Sequence, residues 1–159
     1  MRRIINMLKE PIYKDDLLKV LKYGFINMLL FSIFAGAIQF FLNAYLGIGF
    51  GILIYLIAYM MGKNVKDNIF GYHILYPIIL TFMFLIGLVI YSVTLYSFIV
   101  HNISFGFKYV LSWGGLSYIV FPYLNFKTYV GIDIFYNIID ILILIFSIST
   151  IWRFLEMRK

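Results

Sequence analysis

The chain has 159 residues, of which 64% are hydrophobic, 21% aromatic and only 13% charged. A water-exposed surface needs roughly a quarter of its residues charged, about twice this supply, so the composition argues against a soluble domain and for lipid as the solvent. The net charge of +6 does not point to nucleic acid, because eleven of the thirteen basic residues lie in the first 22 positions, at Lys63 and Lys66, or in the last seven. Basic residues gathered at the ends of apolar stretches act as membrane-surface anchors.

Residues 1–22 carry Arg2, Arg3, Lys9, Lys14, Lys19 and Lys22, with Ile4, Ile5, Leu8 and Ile12 at helix-compatible spacing opposite them. This pattern predicts a basic amphipathic segment on the cytoplasmic headgroups, interrupted at Pro11, with Asp15 or Asp16 capping the helix that follows. Its long basic stretch, with no small-residue cleavage site after a short apolar core, does not fit a cleaved signal peptide. From Tyr23 to Gly62, 40 residues pass without a formal charge. One helix of that length reaches roughly 60 Å, twice the hydrocarbon thickness, so the stretch is expected to fold back. The polar point at Asn43, beside Gln39 and Tyr45, divides it into spans near 23–42 and 45–62 joined by a tight turn. Gly62-Lys-Asn-Val-Lys-Asp-Asn68 is expected to be a cytoplasmic loop.

A third span is expected over 73–100, with Pro77 in its first turns, where a missing N–H costs least. Residues 101–131 are apolar but broken by Lys108, Gly114, Gly115, Pro122 and Lys127. They admit either a fifth span over 107–124 or an aromatic segment lying in the interface. Charge favours the interface: with four spans, eleven basic residues are cytoplasmic and only Lys108 and Lys127 lie outside, whereas five spans would move Arg153, Arg158 and Lys159 outside. The last span is expected over 132–154. Tyr23, Tyr59, Tyr72 and Trp152 then form an inner aromatic belt, and Tyr45, Tyr96, Trp113, Tyr123 and Tyr129 an outer one. The expected fold is therefore an all-α integral membrane bundle of four transmembrane helices, spanning 23–159, with both termini in the cytoplasm.

Few residues offer chemistry. Asp133, Asn137, Asp140 and Ser147 stand at i, i+4, i+7 and i+14, which places them on one helical face. With Gln39 on the first span, Asp133, Asn137 and Asp140 make a candidate intramembrane polar site. A carboxylate inside the membrane costs about 2.5–3.5 kcal/mol unless it protonates, meets water or finds a partner, so a proton- or cation-binding role is open to Asp140. If the span instead starts at Asp140, that residue is a wet helix-opening group complementing the dipole. Gly47 and Gly51 form GxxxG, and Ala58 and Gly62 extend a small-residue stripe suited to close helix packing, with Ala35-Gly36-Ala37 the expected partner. Membrane-surface basic residues are Arg2, Arg3, Lys63, Lys66 and Arg153. Cysteine is absent, which removes thiolate chemistry and Cys-based metal sites, and His73 and His101 have no ligand spacing. No catalytic, cofactor or metal motif appears, and an enzyme is not expected. The expected partners are the bilayer and either a second copy or another membrane subunit.

The stretch Ile54-Tyr-Leu-Ile-Ala-Tyr-Met-Met-Gly62-Lys63-Asn-Val-Lys66, with Ile139-Asp140-Ile-Leu-Ile-Leu and Ser149-Thr-Ile-Trp152-Arg153, resembles an uncharacterised family of small four-span bacterial membrane proteins. The resemblance implies a Gly-Lys cytoplasmic turn, an amphipathic stretch before the last span, and a last helix opened by an aspartate and closed by an aromatic-Arg pair. It implies no activity. The functional expectation is thus a non-enzymatic accessory or interaction protein of a bacterial cell membrane; the alternative is a small ion, proton or solute transporter or channel subunit using Asp140.

Overall fold

A computed structural model of the protein describes residues 12–46, 52–112 and 132–156. Every element in them is an α-helix: α1 (Lys14–Leu46), α2 (Ile52–Asn68), α3 (Leu75–Val100), α4 (Ile103–Leu111) and α5 (Ile132–Glu156). Two helices are long and apolar enough to cross a membrane, α1 over Lys14–Leu42 and α3 over Leu75–Ile99. The expected all-helical class is borne out. Described as it is over 17 residues, α2 is only about 25 Å long.

The packing order fixes the direction of each helix. Gly24 of α1 faces Leu80 and Met83 of α3, Gly87 faces Met28 and Ser32, and Gly36 faces Tyr91 and Thr94. Further along, Phe40 stacks on Phe98 with centroids 5.4 Å apart. Both numbers rise together, so α1 and α3 run parallel. In contrast, Asn64 of α2 bonds Asn27, and the residues after α2 bond Asp16, so α2 runs back along α1. α5 runs parallel to α2: Ile52 shares a groove with Ile143 and Phe146, Gly62 faces Ile151 and Phe154, and Lys66 lies over the Phe154 ring. The bundle is up-down-up-down, with α1 against α2 and α3, and α5 against α2 and, less extensively, α3.

The structure differs from the sequence reading at several points. The helix expected after Pro11 starts at Lys14 and runs on without a break through the residues expected to form the first span, so the second half of the basic segment is part of α1. No breaker follows Pro11, and Asp15 and Asp16 in the first turn suit the positive end of the dipole. There is no turn at Asn43 either: the helix continues to Leu46, since an asparagine alone does not break a helix. Residues 62–68 are not a loop but the last turns of α2, where Lys66 complements the carbonyl end and Asn68 Nδ2 donates to the Asn64 carbonyl at 2.7 Å. The connection is instead Ile69–Ile74. Finally, Gly36 packs on α3 and not on the α2 stripe, while the buried Ala58 and Gly62 turn to the core, Gly62 facing α5. Gly47 and Gly51 lie outside the described residues.

The expected third span coincides with α3, which begins at Leu75 with Pro77 in its first turn, and α5 is a helix from Ile132, where the last segment is expected to start. α3 ends on His101, which takes a left-handed conformation (φ 52°, ψ 29°) while Asn102 N–H donates to the Ser97 carbonyl. Asn102 then caps α4, its Oδ1 accepting from Phe105 N–H at 3.2 Å and Ser104 Oγ at 2.7 Å. α4 folds back on α3, with Gly106 against Ser97 and Val110 buried. Nine residues, about 13 Å, do not cross a bilayer. The remainder of 107–124 lies outside the described residues.

The exposed surface of the bundle is strongly apolar, and several polar side chains are buried in its largely apolar core. Phe25, Leu30, Phe34 and Phe41 on α1, Phe82 and Leu85 on α3, and Leu142, Ile145 and Phe146 on α5 are all exposed. The buried set includes Asn27, Ser32, Gln39 and Ser147 beside Met28, Ile57, Leu80, Phe84 and Ile151.

Candidate functional site at the charged end of the bundle

Charge divides the bundle sharply. Lys14, Asp15, Asp16, Lys19, Lys22, Lys63, Lys66, Asp67, Arg153 and Glu156 all belong to the end where α1 and α3 start and α2 and α5 finish. At the opposite end, among the described residues, stand Lys108 on α4 and Asp133 at the start of α5. Tyr59, Tyr72 and Trp152 belong to the charged half, and Tyr45 and Tyr96 to the other.

The most ordered polar arrangement at the charged end is a clamp on the Ile69–Ile74 connection. Asp16 is a first-turn residue of α1, only 2% exposed, and does not cap its own helix. Instead its carboxylate accepts the N–H of Gly71 at 2.9 Å and, through both oxygens, that of Phe70 at 3.2 Å. Hydrogen bonds to an ionised acceptor are roughly twice as strong as neutral ones, so the clamp holds the connection firmly. Lys19 reaches Asp16 Oδ1 at 3.8 Å and places its ammonium 4.1 Å from the centre of the Phe70 ring. Tyr76 OH donates to the Tyr13 carbonyl at 3.3 Å, tying the start of α3 to the residue preceding α1. Clamped in this way, Phe70 is 82% exposed, next to Tyr13 and Ile12, which are also exposed. A recess of about 280 Å³ lies between Tyr13, Asp15, Asp16, Phe70 and Gly71.

Behind the clamp the interior is polar. Asn64 Nδ2 donates to Asn27 Oδ1 at 3.1 Å across the α1–α2 contact, and Trp152 Nε1 donates to Thr81 Oγ1 at 3.2 Å across the α3–α5 contact. His73 is buried, and its Nδ1 accepts the Leu75 N–H at 3.2 Å, which leaves the proton of the neutral ring on Nε2. That Nε2, together with Asn27 Nδ2 and Ser32 Oγ, is buried without a hydrogen-bond partner among the described residues.

Gln39 is buried on α1 towards the opposite end, and α1 and α5 share no extensive contact. Asp133, Asn137 and Asp140 fall within α5, but their side chains lie outside the described residues. α5 begins at Ile132, so Asp140 does not open it. Ser147, on the same face by helical spacing, is buried and donates to the Ile143 carbonyl at 2.7 Å. Of the basic anchors, Lys63 is exposed, Lys66 covers the Phe154 ring at 5.6 Å and Arg153 is exposed; Arg2 and Arg3 lie outside the described residues.

Sequence reasoning missed the clamp because its partners stand 54 and 55 residues apart. The available signal was Asp16 itself, an acid near an apolar helix start, together with Gly71 in a short connection. Among the described residues no group of three His, Asp or Glu side chains could hold a metal ion. No protein-family model, curated protein or solved structure matches this chain.

Proposed function

We propose that the chain is a four-span membrane protein, with its charged end and both termini in the cytoplasm, that acts as a non-enzymatic accessory or interaction protein. The parallel course of α1 and α3 supports the added spans. A chain that crosses a bilayer twice in the same direction has to return in between, and α2 is the segment that connects them. α5, parallel to α2, brings the C-terminal end back to the charged side. The exposed apolar belt supports lipid contact around the bundle, because such a surface in water would be an aggregation site. The excess of cations at one end supports a cytoplasmic assignment for it. The resemblance to small four-span bacterial membrane proteins belongs with this reading.

The interaction role rests on one observation: a three-bond carboxylate clamp fixes a connection whose aromatic side chain points outward. Large rigid aromatics bind partners at low entropic cost. Affinity purification in mild detergent, with the intact complex weighed, tests the role. A stoichiometric partner that is lost in Phe70→Ala supports it; a monomer that retains no partner refutes it.

A second reading keeps Asp140 as a proton- or cation-binding residue of a small transporter or channel subunit. It is favoured by the start of α5 at Ile132, which sets Asp140 about 12 Å into the helix. Flux in proteoliposomes that is unchanged by Asp140→Ala would remove this reading.

A further inference from the structure

A groove of about 590 Å³ runs between α2 and α5, with Ile52, Ile143 and Phe146 as its floor and Ser149, Thr150 and Arg153 on its rim. Because the two helices are parallel, the groove follows the bundle axis. From Ile143 to Arg153 it covers ten residues, about 15 Å, and ends at the charged end. A second recess of about 210 Å³ shares Thr150 and Arg153 and opens beside Tyr59 and Phe154. Arg153 is exposed and has no carboxylate partner among the described residues. Lys66, over the Phe154 ring, adds a second cation nearby.

We infer that this groove binds one phospholipid with an anionic headgroup, an acyl chain lying along Ile52, Ile143 and Phe146 and the phosphate on the Arg153 guanidinium. The inference rests on the membrane reading above. The planar fork of a guanidinium matches phosphate oxygens in pairs, and Ser149, exposed one turn away, offers a hydroxyl to the same group. An apolar floor does not attract a free phosphate ion. A zwitterionic headgroup brings its own cation towards Arg153 and Lys66, so the site selects a net negative lipid.

The test is native mass spectrometry of the full chain in detergent, titrated with phosphatidylglycerol and with phosphatidylcholine of the same acyl chains. Phosphatidylglycerol is expected to add one molecule per chain at about five- to tenfold lower concentration. Arg153→Gln is expected to abolish that preference, while Lys63→Gln, an equal loss of charge at the same end, retains it. Ser149→Trp fills the groove with its charge intact and is expected to lose the adduct. Equal affinity for the two lipids, or equal loss in the Arg153 and Lys63 variants, would overturn the inference in favour of diffuse attraction. A chain that stays in solution without detergent would instead refute the membrane reading, and the two failures are separable.

Discussion

Replacing Gly36 by alanine tests whether α1 and α3 meet as tightly as their parallel course implies. A Cβ at Gly36 would lie 2.7 Å from the Tyr91 carbonyl oxygen and 2.8 Å from Thr94 Cβ, where ordinary contact begins at 3.4 Å. The helices would have to separate locally by about 0.6–0.7 Å, and a gap of that size forfeits a quarter to a half of each affected dispersion contact. Neither obstacle can swing aside. One is backbone in the middle of α3, and the other is the branched carbon of a threonine whose hydroxyl donates to the Ile90 carbonyl at 2.9 Å. Overpacking of this kind costs about 1–3 kcal/mol and the better helix propensity of alanine returns about 1, leaving a net loss of about 0–2 kcal/mol, expected in the upper half of that range because neither neighbour can move.

Gly24 is the internal control. Its Cβ would meet Met83 Sδ at 2.8 Å and Leu80 Cδ1 at 3.0 Å, both far ends of flexible side chains. Methionine adapts to such intrusions, so Gly24→Ala is expected to fall within about 0.5 kcal/mol of neutral. Reversible unfolding in mixed micelles of mild detergent and dodecyl sulfate, followed by circular dichroism, measures both. A Gly36→Ala variant as stable as Gly24→Ala would refute the close α1–α3 contact.

Two other contacts give separate checks. Asp16→Ala leaves the Phe70 and Gly71 N–H groups without their acceptor and is expected to cost about 1–3 kcal/mol, with Asp16→Asn milder because one acceptor oxygen remains. Amide exchange over residues 69–74 should accelerate in Asp16→Ala, and unchanged protection would show that the clamp does not hold the connection. Asn27→Ala and Asn64→Ala, combined in a double-mutant cycle, are expected to show a coupling of about 0.6 kcal/mol, the usual worth of an interhelical hydrogen bond in lipid. Zero coupling in the unfolding assay would remove that bond from the α1–α2 interface.

The all-helical class and some helix bounds were legible in the sequence because long apolar runs and the charges that end them leave a coarse signature. Charges and Pro77 delimit α3 to within two residues of the expected span, and α5 starts at Ile132, just past Gly131, where the last segment is expected to begin. What composition marks, however, is where a chain leaves apolar surroundings, not where its helix ends. Lys63, Asn64, Lys66 and Asp67 read as a loop for that reason, although the helix continues through them. Which stripe meets which was not legible, since close approach by Gly36 or Gly62 is equally useful against any neighbour. The choice of α3 for Gly36 and α5 for Gly62 follows from the parallel pairing of alternate helices, a non-local property. The clamp was hidden for the same reason: local rules assign Asp16 to its own helix start, whereas its hydrogen bonds go to a connection that only the folded bundle brings near.

The four-span topology is tested most directly by single-cysteine labelling, for which the chain is already suited because it contains no cysteine. Cysteines at Lys14, Lys63, Lys108 and Glu156 would be exposed in turn to a membrane-impermeant maleimide in intact cells and after permeabilisation. The account predicts labelling of position 108 from outside, and of 14, 63 and 156 only once the membrane is opened. Labelling of position 63 from outside, or identical labelling of all four before permeabilisation, would contradict it.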